Sequence, residues 1–193
     1  MITIDARGET CPMPVIMLKK ALKNDKNDSI RQIVDNELAK ENVEKMLMEL
    51  GVTYSSKKKD NDYIIDIGNT ESVIKQPVDA EKADDIIVLS SNKMGEGNDE
   101  LGEVLMANFI YTLTESDVLP SKIIMYNSGV KLACEKKEVV SDLKKLADMG
   151  IDIMVCGLCL NYYGLEKKLQ VGNVSNMYAI LQAKQQAMKI IKP

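Results

Sequence analysis

The sequence predicts an α/β protein of two domains: a two-layer βαβαββ sandwich over residues 1–68 and a doubly wound parallel sheet over 86–193, with a linker at 69–85. Three observations carry this. Short apolar runs alternate with stretches of helical period along the chain. The first half ends on two strand-like runs around a polar turn. The second half opens on Ile86–Ser91, a continuous apolar run of the kind buried on both faces of a parallel sheet.

Each element has its own signal. In Met1–Ile4, Ile2 and Ile4 alternate with other residues, as in a short strand. Pro12 and Pro14 then open a helix to about Lys23, with Val15, Leu18 and Leu22 on one face. A polar turn at Asn24–Asp28 leads to a second strand, Ile30–Val34. The second helix runs from about Leu38 to Leu50 on a stripe of Val43, Met46, Leu47 and Leu50, and Gly51 caps it. Val52–Ser56 and Tyr63–Ile67 are strands, with Lys57-Lys58-Lys59 at a solvated hairpin tip between them. The βαβαββ order puts two helices on one face of a mixed sheet.

Beyond the polar stretch Gly68–Asp85 the pattern is strand and helix in turn. Strands are expected at Ile86–Ser91, Lys122–Asn127, Asp152–Cys156 and Met188–Ile191, and helices at Asp99–Glu115, Lys136–Met149 and Ser175–Gln186. Such a sheet places its sites beyond the carboxyl ends of the strands. The glycine-containing loop Ser90–Asp99 lacks both phosphate-binding fingerprints and reads as a polar connection.

Composition narrows the chemistry. A net charge of −4 gives no basic footprint for duplex nucleic acid. No apolar run approaches the roughly 20 residues that span a bilayer. Met1–Gly8 has no apolar core of a secretory signal, so a cytoplasmic location is expected. Four cysteines in that compartment point to reactive, redox or metal chemistry rather than a disulfide framework. The chain has no histidine, which removes Ser-His-Asp and Cys-His nucleophiles and any zinc site using imidazole. A reactive cysteine must then be activated by backbone amides, helix ends or Lys/Arg. No cofactor and no metal are expected.

Cys11 lies in Asp5-Ala6-Arg7-Gly8-Glu9-Thr10-Cys11-Pro12-Met13-Pro14, at a junction of loop and helix. Pro12 suits the first helical position, which leaves Cys11 as the cap residue, facing free amides and the positive end of the helix dipole. Helix starts lower thiol pKa values and suit anions such as persulfides. Asp5, Arg7 and Glu9 are placed to position the loop, and Arg7 to favour a thiolate. The alternative is a small apolar cysteine tucked beneath the helix. The run Arg7-Gly8-x-x-Cys11-Pro12-x-Pro14, followed by Lys19-Lys20-Ala21-Leu22, Val34-Asp35-Asn36 and Asn42-Val43, resembles the TusA/SirA family of sulfur carriers over residues 1–68. That resemblance implies that Cys11 takes a persulfide from a cysteine desulfurase and passes it to an acceptor protein.

The second group is Cys156-Gly157-Leu158-Cys159, with Cys134 as a further thiol. A C-x-x-C beside an α/β pattern suits a redox dithiol. Structural thiols are the alternative, and Cys134 leans that way. The apolar strand ending at Cys156, with Gly164 eight residues on, resembles the sulfur-transferring members of the DsrE-like family. There a cysteine follows a strand and precedes a small helix ending in glycine, which implies Cys156 as the transfer residue. Basic residues are frequent before that glycine, whereas this chain has Tyr162-Tyr163. Cys159 lies outside the pattern and suits the resolution of a Cys156 persulfide.

The two resemblances together, with Cys-Gly-x-Cys-Leu-Asn-Tyr-Tyr-Gly-Leu at 156–165, are similar to the YedF family of sulfurtransferase-like selenium metabolism proteins. The expected function is a sulfur or selenium carrier using Cys11, Cys156 and Cys159, supported by Arg7, Pro12, Pro14 and Cys134. Its partners would be a cysteine desulfurase or selenium-donor enzyme and a protein acceptor, and the resemblance implies homo-oligomers. Two other readings stay open: a dithiol oxidoreductase built on Cys156 and Cys159, and a non-catalytic regulatory docking module.

Overall fold

The computed structural model describes residues 1–24, 29–68 and 83–193. The chain divides into two compact units between Pro77 and Val78. That division, most of the expected linker, and residues 25–28 of the expected turn lie outside the described residues.

The first unit runs β1 (Ile2–Asp5), α1 (Met13–Asn24), β2 (Ile30–Val34), α2 (Glu37–Glu49), β3 (Tyr54–Lys59) and β4 (Asp62–Ile67). The sheet order is β1-β2-β4-β3, parallel between β1 and β2 and antiparallel elsewhere. Alternation decides which residues face the helices. Ile4, Ile30, Val34, Ile65 and Ile67 are buried, together with Leu18 and Leu22 of α1 and Val43 and Leu47 of α2. On the other parity, Arg31 of β2 pairs with Asp66 directly opposite on β4.

Asn36 caps α2 by accepting from the Ala39 N–H (2.8 Å), and Gly51 follows the helix at φ +68°, the left-handed stop that favours glycine. The three lysines do not form the hairpin tip. They belong to β3, and the turn is Asp60-Asn61, with Lys59 opposite Asp62. A run of like charge suggests a loop, but β3 is an edge strand, where exposed lysines discourage pairing with another chain.

The second unit contains β5 (Ala83–Leu89), α3 (Asp99–Thr114), β6 (Pro120–Met125), α4 (Lys137–Asp148), β7 (Asp152–Cys156), α5 (Gly157–Tyr162), β8 (Asn173–Ser175), α6 (Met177–Gln186) and β9 (Lys189–Ile191). All five strands are parallel, in the order β8-β7-β6-β5-β9. The strand order reverses direction between β8 and β9, so the right-handed crossover rule puts α6 on the face opposite α3 and α4, the doubly wound arrangement. The core is formed by both faces of β5 and β6, including Ile86, Ile87, Val88, Leu89, Ile123 and Ile124. Asn98 and Asn176 cap α3 and α6 as Asn36 caps α2.

Several boundaries differ from expectation. β5 starts at Ala83, inside the expected linker, because Asp84 and Asp85 continue the strand; Asp85 pairs with Lys189 of β9. β8, the 3-10 helix Asn127–Ala133 and α5 have no separate periodic signal. In the Ser90–Asp99 loop, Lys93 pairs with Asp99 (2.6 Å) and the Met94 N–H with the Gly102 carbonyl (2.9 Å), which folds it onto the start of α3.

Candidate functional site: two cysteine centres

In the first unit Cys11 is exposed and precedes α1 by two residues. The cap position is taken by Pro12, whose carbonyl accepts the Ile16 N–H (3.2 Å). Cys11 therefore sits one residue earlier than expected, in the turn Thr10–Met13. That turn is closed by the Met13 N–H on the Thr10 carbonyl (2.8 Å) and includes a cis Cys11–Pro12 peptide. Pro14 lies in the first turn of the helix. From beneath, the buried Gln32 of β2 donates through Nε2 to the Pro14 carbonyl (2.8 Å).

The loop leading to Cys11 is fixed by charge. Arg7 grips Asp5 with Nε at 2.8 Å and Nη2 at 2.6 Å, and reaches Asp62 with Nη1 at 3.2 Å. Gly8, at φ +78°, donates its N–H to Asp35 Oδ2 (2.7 Å). Arg7 thus ties the loop to β4, and Asp35 ties it to the end of β2. Beside Cys11 is a cavity of about 210 Å³, lined by Thr10, Cys11, Pro14, Asn36, Leu38 and Asn42 among others. It lies where the starts of α1 and α2 face each other. Its size suits one side chain or a small thiol rather than a nucleotide.

Hydrogen bonding to the Arg7 side chain and backbone holds the Asp5 carboxyl down at about 2. A lowered carboxylate pKa favours the folded state above the unfolded value, and that contribution is lost as pH falls towards the folded value. Asp5 should accordingly titrate near 2, and Arg7→Ala, which removes the guanidinium but keeps the residue-7 amide, should raise its midpoint towards the ordinary carboxylate value of 3.8, as read by carboxyl-carbon NMR. A wild-type midpoint already at that value would mean that Arg7 does not anchor the loop through Asp5.

In the second unit the cysteines lie at the carboxyl edge of the sheet. Cys156 ends β7 and is buried (2% exposed); Cys159 lies within α5 and is partly exposed. The Cys159 thiol donates to Cys156 Sγ at 3.0 Å. Cys159 Sγ accepts the Asn127 backbone N–H at 3.1 Å. Asn127 opens the 3-10 helix after β6, at φ +51°, and its Oδ1 accepts the Tyr163 hydroxyl at 2.9 Å. The Lys131 ammonium lies 4.9 Å from the centre of the Tyr163 ring.

Burial pushes the Cys159 thiol up, and its bond to Cys156 adds to this, while the Asn127 amide pulls the other way. A Cβ at Gly157 would come within 2.9 Å of Val174 Cγ1 of β8, so glycine lets the start of α5 lie close against that strand. Cys134 is buried in the core, makes no hydrogen bond to the other two sulfurs, and has its thiol pushed up by burial. Its backbone carbonyl holds Gln170 Nε2 (2.8 Å). The structure therefore joins Cys156 to Cys159 and leaves Cys134 apart. Tyr163 is near the C-x-x-C in the chain and can be expected to line this site, whereas Asn127 has no local signal for it, since only the fold brings residue 127 to the thiols.

Residues 91–193, more than half of the chain, match the DsrE/DsrF-like family. The chain belongs to that family. Residues 2–68 match the family described as Sulfurtransferase TusA, so this DsrE/DsrF-like protein also carries a TusA/SirA-like domain. Both families are concerned with sulfur transfer, and TusA-like proteins work with sulfur-donor and sulfur-acceptor proteins.

Among solved structures, a SirA-like protein from Desulfitobacterium hafniense is 37% identical, covering 35% of this chain and 95% of its own, with a TM-score of 0.33. The ychN protein from E. coli is 14% identical over 57% of this chain and 99% of its own, at a TM-score of 0.45. A conserved protein of unknown function from Bacteroides thetaiotaomicron is 18% identical over 57% of this chain and 95% of its own, at 0.44. Comparison with curated proteins gave no match. No helix among the described residues is long and apolar enough to cross a membrane.

Proposed function

We propose that this DsrE/DsrF-like protein carries sulfane sulfur as a persulfide on Cys11 and hands it to a protein acceptor or to the cysteines of its second unit. The observation that supports this most is the position of Cys11 within the TusA-matching segment, exposed on a braced loop at the lip of a cavity. The donor is a cysteine desulfurase or a selenium-donor enzyme. Loading is attack of the Cys11 sulfur on the outer sulfur of the donor persulfide, and unloading is the same step in reverse order with an acceptor thiol. Neither step calls for imidazole, metal or nucleotide, in keeping with a chain that has no histidine. Selenium follows the same chemistry, and the resemblance to selenium metabolism proteins makes it the alternative cargo.

The test is to incubate the reduced chain with a cysteine desulfurase and cysteine, and separately with selenocysteine, then map adducts by peptide mass. The expected result is a reductant-labile gain of one sulfur, or one selenium, on the peptide holding Cys11. An adduct confined to other cysteines, or none, overturns the carrier reading. Loading by sulfur alone removes only the selenium part.

A further inference from the structure

We propose that Cys159 and Cys156 form a dithiol that discharges sulfane sulfur as sulfide, with Cys159 the receiving thiol and Cys156 the buried resolving thiol. This rests on the sulfane-sulfur reading above and extends it to the second unit. It reverses the roles that the strand-end position of Cys156 suggests.

Three features of the geometry carry the assignment. The two sulfurs are 3.0 Å apart, so a disulfide requires them to close by about 1 Å. Access is unequal: Cys159 is partly exposed on α5, whereas Cys156 is 2% exposed at the end of β7. An incoming persulfide meets Cys159 first. The third feature is the Asn127 N–H, which already points at Cys159 Sγ (3.1 Å), while the Tyr163 hydroxyl holds the Asn127 side chain through Oδ1. A fixed amide donor at that sulfur stabilises negative charge there as the thiolate forms or leaves. Cys156 Sγ, in turn, already accepts from the Cys159 thiol and so is placed to attack that sulfur.

The chemistry balances in two steps. In the first, Cys159 attacks the outer sulfur of a donor persulfide; the donor's S–S bond breaks, the donor leaves as a thiol, and Cys159 holds the persulfide. In the second, Cys156 attacks the inner sulfur of that persulfide. The bond between inner and outer sulfur breaks and a Cys156–Cys159 disulfide forms. The outer sulfur leaves with the electron pair and takes up the protons as hydrogen sulfide. Two thiol sulfurs are oxidised and one sulfane sulfur is reduced. A low-molecular-weight thiol such as glutathione, two molecules per turnover, restores the dithiol and becomes a disulfide itself. Selenium in place of the outer sulfur leaves as selenide by the same electron count.

The experiment uses the full chain with Cys11→Ala, reduced and freed of reductant, then given inorganic polysulfide. The expected products are sulfide, a loss of two hydrogens in intact mass, and a peptide linkage between Cys156 and Cys159. Adding Cys156→Ala should trap a persulfide on Cys159 and bring sulfide release to background. Adding Cys159→Ser should abolish both. Native alkylation of the reduced wild-type chain, which needs no substitution at the buried site, should modify Cys159 before Cys156. A persulfide that accumulates on Cys159 without a disulfide, sulfide release that survives Cys156→Ala, or earlier alkylation of Cys156 overturns the proposal. Because polysulfide bypasses the donor enzyme and Cys11 is absent, these outcomes are independent of whether Cys11 is a carrier.

Discussion

Gly129→Ala is expected to destabilise the second unit by about 3 kcal/mol or more, at or beyond the upper end of ordinary overpacking. A Cβ at Gly129 would lie 2.0 Å from the Leu89 carbonyl oxygen, 2.9 Å from its carbon and 3.3 Å from the Ser91 nitrogen. All three are backbone atoms, so no flexible side-chain end can move aside. The carbonyl cannot retreat cheaply either. Leu89 is the last residue of β5, it pairs with Met125 of β6, and its oxygen accepts the Tyr126 N–H at 3.3 Å. β5 is held between β6 and β9, so a shift propagates to both neighbours. A loss of that size lowers a melting temperature by roughly 10 °C in a domain of this length. Gly95→Ala is the informative comparison. It has nothing within 4 Å but sits at φ +75°, and so meets only the left-handed conformational penalty of about 1–2 kcal/mol. Thermal melts of both variants check this. If Gly129→Ala costs no more than Gly95→Ala, the end of β5 yields to the added methyl and the close approach is not what requires glycine at residue 129.

The same glycine shows where sequence reasoning stops. Gly129 lies in the 3-10 helix after β6, and that helix carries Asn127 to the Cys159 sulfur. Nothing near residue 127 in the chain announces a cysteine 32 positions on. The contact exists because the carboxyl ends of β6 and β7 are neighbours in a parallel sheet. What was legible is local. Alternating Ile2 and Ile4 mark β1, the helical stripe and Gly51 mark α2, and the apolar runs mark β5 to β7. The C-x-x-C spacing gave a dithiol candidate but not its polarity. Which thiol is buried depends on Cys156 ending a central strand, while Cys159 turns outward on a short helix. β8 was missed because a three-residue edge strand with exposed Val174 has no period to detect. The lysines of β3 were misplaced because charge describes exposure, and an edge strand is as exposed as a turn.

Cys11→Ser is expected to have the opposite profile: the fold unchanged and the carrier chemistry gone. Cys11 is exposed, in a turn closed by backbone bonds from the Met13 N–H to Thr10 and from the Ile16 N–H to Pro12. Replacing sulfur by oxygen there leaves those bonds in place, and exposed substitutions of this kind stay within about 0.5 kcal/mol. The loop itself is held by Arg7 on Asp5 and Asp62 and by Asp35 on the Gly8 amide, none of which involves the thiol. The chemistry, by contrast, has no substitute. A serine hydroxyl is a weak nucleophile without an adjacent base, and this chain has no histidine to act as one. Loading by desulfurase and cysteine should therefore fall below detection at residue 11, with the melting curve superimposable on that of the wild type. Asp35→Ala separates position from reactivity. It keeps the thiol but frees the Gly8 amide, so loading should slow without losing its end point. Full loading of Cys11→Ser would place the carried atom on another cysteine and leave the exposed turn with a docking role only. Slow loading of Asp35→Ala beside none in Cys11→Ser would mean that the carboxylates set the aim of the sulfur and the sulfur alone performs the exchange.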